Sequence, residues 1–159
     1  ALRILEIVLL QGESSRLYRS LVSDKQLAID IQGGMQESID PLLFNIYVEP
    51  RQDAGLDLIE KAVDDELARI AAEGISDKEL TKARNIIRTE FYRPLQSISG
   101  KANILGTAEL LFGGWENLFS WTARFDGVTV AQVQQAAQKW LSPMKKTTGV
   151  LLPEEGGAE

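Results

Sequence analysis

Ser14 and Ser15, within the stretch QGESSRLYRSLVSDKQLAID from Gln11 to Asp30, are the first side chains of this 159-residue sequence whose types could do chemistry. Gly12, Ser14 and Ser15 could hold an anion at a helix N-terminus, but the lysine and the spacing of a phosphate-binding loop are missing. Either serine could be a nucleophile only if a base took its proton. The sequence has no histidine, so the base would have to be a lysine. Lys25, the nearest in sequence, falls in a polar turn where it should be solvated. Against both stands a plain structural reading, in which Gly12 ends one helix and Ser14 caps the next.

The other candidates divide in the same way. Asp64, Asp65 and Glu66 could hold a hard cation, but their phase puts them opposite Leu56, Ile59, Val63 and Leu67, on an expected solvated face. Phe112, Trp115, Phe119, Trp121 and Phe125 form the densest aromatic group. Exposed, they would make a partner patch; at helical spacing they read as core, with the Gly113–Gly114 edge left to face a partner. The absence of both histidine and cysteine removes the imidazole base, the thiolate nucleophile and the usual zinc ligands. No disulfide is possible, so the redox compartment stays open. A net charge of −6 argues against nucleic acid as a partner, because phosphate binding needs a basic face. No apolar run reaches the ~20 residues of a membrane span.

The elements that must position these residues follow from periodicity. LRILEIVLLQG reads as a short helix, apolar nearly all round and therefore buried. A second helix from Ser14 carries Leu17, Tyr18, Leu21 and Val22. Leu27, Ile29 and Ile31 alternate with polar neighbours as one strand. Leu42, Phe44, Ile46 and Val48 form one face of the next, with ESIDP as the hairpin connection. From Asp53 the period changes to 3.6: Leu56, Ile59, Val63, Leu67 and Ile70 mark a long helix ended by Gly74. Ser76 with Glu79 makes a capping box for a helix carrying Leu80, Ala83, Ile86, Ile87 and Phe91. Helices follow over about Ser99–Phe112 and WENLFSWTARF. A second capping box, Thr129 with Gln132, opens the last helix, which stops at Ser142-Pro143. TTGVLLP reads as a final strand. Strands and helices are segregated, so the fold class is α+β, with helices packed on a mainly antiparallel sheet. Residues 1–153 form one domain and 154–159 a flexible acidic tail. The chain opens on Ala1 inside a helical pattern, and the sheet is thin for so many helices. The sequence thus reads as a piece cut at its N-terminus, with part of the sheet upstream.

Three segments in register carry a family resemblance: Gly12-x-Ser14-Ser15-Arg16-Leu17-Tyr18 with Leu21-Val22 and Leu27-Ala28; GISDKELTKARN; and QKWLSPMKKTTGVLLP. Together they span Leu2 to about Pro153. The chain resembles the C-terminal-type domain of the insulinase and mitochondrial-processing-peptidase (pitrilysin) family of zinc metallopeptidases. The resemblance implies an inactive domain that walls a chamber around a peptide substrate. Its partners would be its own N-terminal domain and a second subunit, identical or paralogous. Zinc would sit on an inverted His-x-x-Glu-His motif of the N-terminal domain, which has no counterpart here. In peptidases of the family an arginine and a tyrosine seven positions apart hold the substrate. Those positions fall on Val22 and Ile29, neither of which can donate a hydrogen bond. No catalytic, substrate-binding or metal-ligating residue is therefore assigned within the chain. Such a domain fits a subunit that carries zinc and borrows the pair from its partner, or else a degenerate scaffold with no peptidase activity. Arg16 is expected to tie to a carboxylate or to backbone carbonyls. Family habit favours the periplasm.

Overall fold

A computed structural model describes residues 1–35, 38, 40 and 42–152 of the chain. Helix α1, Leu2–Leu10, lies at the centre. Ile4, Leu5 and Ile7 to Leu10 are all buried, as a helix apolar on every side requires. The chain then turns through Gly12, at φ 77°, into α2, Arg16–Tyr18, which runs on as a π-helical segment, Arg19–Asp24. Two strands follow, β1, Ala28–Gly34, and β2, Asn45–Pro50. The long helices come next: α3, Leu56–Glu73, and α4, Asp77–Tyr92. A 3₁₀ turn, Pro94–Gln96, leads to α5, Ile98–Leu111. The aromatic segment breaks into a 3₁₀ turn, Trp115–Asn117, and two short helices, α6, Leu118–Trp121, and α7, Ala123–Asp126. The last helix is α8, Val130–Trp140.

Helix α1 packs against α2, β1, α4 and α8, while α3 packs on α8. One continuous core results, reaching from Ile4 through Ile31, Ile70 and Ile87 to Val133. Both expected capping boxes form, Ser76 with Glu79 and Thr129 with Gln132. The α+β class holds: a helix-rich body carries a small antiparallel sheet of two strands among the described residues.

Four expectations need correction. The ladder pairs Ala28 with Pro50 and then Asp30 with Glu49, leaving a bulge at Ile29. A bulge turns one residue out of the alternation, so Ala28 and Ile31 are buried while Ile29 is 55% exposed. Leu42 and Leu43 lie before the ladder and are exposed, and only Phe44, Ile46 and Val48 reach the core. Residues 147–152 form no strand. The segment is fastened by side chains instead: Lys146 Nζ donates to Glu60 (2.6 Å) and Asp64 (2.8 Å), and Thr148 Oγ1 to Glu60 (2.9 Å). Most of the ESIDP connection, Pro153 and the 154–159 tail lie outside the described residues. Finally, Ser15 rather than Ser14 takes the N-cap position of α2, without a side-chain cap hydrogen bond.

Candidate functional site

The stretch that opened the chemical question folds into an ionic junction of three helices. Arg16 is the first residue of α2, and its guanidinium reaches across to the gap between α3 and α4. Nε donates to Glu79 Oε1 (2.7 Å) and Nη2 to Glu79 Oε2 (2.9 Å), a bidentate fork. Nη2 also donates to the carbonyl of Gly74 (3.2 Å), where α3 ends. Nη1 lies 3.6 Å from Glu66 Oε1. Glu66 is 3% exposed and its other oxygen accepts from Arg69 (2.9 Å). The sequence placed Glu66 on a solvated face. It is in fact in phase with Ile59, Ala62 and Ile70, the buried residues of α3, and that spacing was the signal for it. Asp64 and Asp65 do face outward, paired with Lys146 and Lys61.

Electrostatically the junction is closed. The hydrogen bonds from Arg16 hold the Glu79 carboxyl down at about 2, against the opposing effect of burial and with help from the Ser76 backbone N–H. The Arg16 guanidinium is raised in turn, chiefly by its hydrogen bond to Glu79. Both groups stay charged across the physiological range, which suits a structural clamp and not a proton carrier.

The two serines part company. Ser14 Oγ accepts a hydrogen bond from Lys82 Nζ of α4, so a lysine does meet it, though from 68 residues away and not Lys25. Both side chains are exposed, and the lysine is the donor in the contact. Ser15 is buried, and its Oγ has no hydrogen-bond partner among the described residues. Outside α4 lies an open groove of about 900 Å³, lined among others by Gln11, Lys82, Asn85, Thr89 and Arg93. Neither the groove nor the serine pair assembles a base, a nucleophile and an oxyanion donor together.

The second signature, GISDKELTKARN, is likewise structural. Arg84 donates to the carbonyls of Phe125 (3.1 Å), Asp126 (2.8 Å) and Val128 (2.8 Å), closing the end of α7, and Arg88 pairs with Asp126 (2.7 Å). Sequence reasoning gave Arg84 no role. The aromatic group is split: Trp121 stacks on Phe91 (5.7 Å) and meets Phe125 edge-on (5.0 Å), next to the core. Trp115 and Phe119 touch each other (6.1 Å) on the outside.

Val22 sits in the π-helical segment, half-buried against the core. Ile29, seven residues on, stands at the β1 bulge beside a cavity of about 460 Å³ that Arg51 also lines. Neither Val22 nor Ile29 has a side chain that can donate a hydrogen bond. With no histidine and no cysteine in the sequence, and no cluster of three or more acidic side chains placed to share an ion among the described residues, the residues present do not fit zinc. No described helix is long and apolar enough to cross a membrane.

A fold of this kind, with its signature arginines closing helix ends, matches known proteins consistently. The family model described as the peptidase M16 inactive domain matches residues 1–87, more than half of the 159 residues, and the chain belongs to that family. An uncharacterized zinc protease of Mycobacterium leprae is 25% identical over 142 residues, 89% of this chain and 32% of the relative. One of Streptomyces coelicolor is 27% identical over 138 residues, 87% of this chain and 30% of the relative. The chain thus spans about a third of the length of these relatives. Among solved structures, an inactive peptidase domain from Bordetella parapertussis superposes with a TM-score of 0.85 at 24% identity, covering 99% of this chain and 83% of that one. A protease from Helicobacter pylori gives 0.82 at 21%, covering 91% and 35%. At such identities the structures show a shared fold alone.

Proposed function

We propose that residues 1–153 act as the non-catalytic C-terminal domain of a zinc-dependent metallopeptidase, forming chamber wall and subunit contacts for peptide hydrolysis. The zinc would sit on the N-terminal domain of the parent protein, and the second subunit would be identical or paralogous. One observation carries this reading. The two arginines of the family's signature segments are both engaged in holding helices together: Arg16 on Glu79 and Gly74, Arg84 on the carbonyls at the end of α7. A domain whose polar signature is structural serves the reaction by shape and position. The names of the relatives, zinc proteases about three times as long, support the same assignment of zinc to another part.

A second reading, a scaffold in an assembly without peptidase activity, is favoured by Val22 and Ile29, which leave the substrate-holding positions without donors. The native protein separates the two. Its reading frame and intact mass are expected to reveal an upstream segment with His-x-x-Glu-His. The purified native protein should bind zinc, and its peptide hydrolysis should vanish when the glutamate of that motif is changed to glutamine. A native protein lacking the motif, and inactive with every partner it copurifies with, would establish the scaffold reading.

A further inference from the structure

Helix α5 is the least sheltered of the long helices among the described residues. It packs mainly on its own flanking turns, Pro94–Gln96 and Trp115–Asn117, and only Ala108 is fully buried. Ile98 is 88% exposed and Leu110 76%, and Leu105 is exposed beside them. Beyond the helix Phe119 is 74% exposed and rests on half-exposed Trp115. An apolar helix left outside in this way marks an interaction surface.

The charges on α5 are complementary to those of a second, antiparallel copy of the same helix. From Ile98 to Trp115 the chain carries only Lys101 and Glu109, so this patch is neutral on a molecule of net charge −6. Lys101, Leu105 and Glu109 step by four, forming one ridge about 12 Å long with Leu105 at its midpoint. Beside it runs a row with two small residues, Ala102 and Gly106, and a methyl added at Gly106 would meet nothing within 4 Å. A second helix can therefore come close. We infer that α5 pairs antiparallel with α5 of a second copy of this chain, about a two-fold axis at Leu105. Each Lys101 then faces the other copy's Glu109, and the two contacts are equivalent by symmetry. A parallel pairing would set lysine against lysine. Glu109 Oε2 accepts the Trp115 backbone N–H (3.0 Å), and its other oxygen is left for the lysine. The inference rests on the subunit-contact part of the reading above, but not on its zinc chemistry.

Sedimentation equilibrium of the 159-residue chain tests it. Self-association is expected, seen as a weight-average mass that rises above the monomer's with concentration. Lys101→Glu and Glu109→Lys each create two like-charge contacts and should weaken it at least tenfold. An equimolar mixture of the two variants should regain association to within about threefold of the parent chain, because each lysine again meets a glutamate. That recovery also shows that both variants are folded. A monomeric parent chain at about 100 µM, association indifferent to Lys101→Glu, or a mixture that stays monomeric would each overturn the inference. None of these results would touch the peptidase reading, which depends on the zinc and activity of the native protein.

Discussion

At Arg16 one guanidinium joins the beginning of α2, the end of α3 and the beginning of α4, and it shields the buried carboxylate of Glu66. Removing one partner from a buried ion pair costs more than the pair itself contributes, because the remaining charge stays in the interior. Arg16→Met is therefore expected to lower unfolding stability by about 3 kcal/mol in urea denaturation. Lys82→Ala, at an exposed pair, should change it by less than about 0.5 kcal/mol. The junction also has a pH signature. The Glu79 carboxyl is held at about 2 in the fold against 4.5 for the free side chain. A lowered carboxyl contributes stability above its unfolded value, and that contribution fades as pH falls from 4.5 toward 2. The stability difference between the parent chain and Glu79→Gln should accordingly shrink over that window; a difference that grows on acidification would contradict the clamp. That Arg16 needs a partner was legible in the sequence, since a charge within an apolar run must be satisfied. The partners were not legible, lying 50 and 63 residues away with no local pattern to connect them. Glu66 was half-legible: its phase with Ala62 and Ile70 was in the sequence, but the acidic run around it masked that phase.

Among the elements, helices were read well where caps and stripes agreed. Both capping boxes and the breaks at Gly74 and Pro94 sit where the local chemistry put them. Strands were read less well, because a strand depends on a neighbour distant in sequence. The β1 bulge, which turns Ile29 outward, comes from the pairing with β2 and leaves no trace in the alternation of β1 itself. The segment 147–152 has strand-like composition, but among the described residues it pairs with neither strand of the sheet. Gly33 gives a sharp test of the hairpin. Its φ is 152°, and a side chain there would run into the Asn45 backbone carbonyl. Gly33→Ala should cost about 2 kcal/mol in the same denaturation assay. Gly127→Ala, at φ −84° and with open space around it, should cost no more than about 0.5 kcal/mol.

On the scale of the molecule, the family was legible because three short segments in register are harder to produce by chance than any one of them. The junctions those segments encode had to be seen in the fold. Arg16 and Arg84 tie α2, α3, α4 and α7 together, and the apolar helix α5 lies outside that body. Its residues do not suit a metal. The most direct test is equilibrium dialysis of the 159-residue chain against micromolar zinc, followed by metal analysis and a peptide-cleavage assay. The account predicts well under one zinc per chain and no cleavage above the buffer rate. One tightly held zinc per chain, with cleavage that chelation abolishes, would contradict it and put the catalytic centre inside these residues.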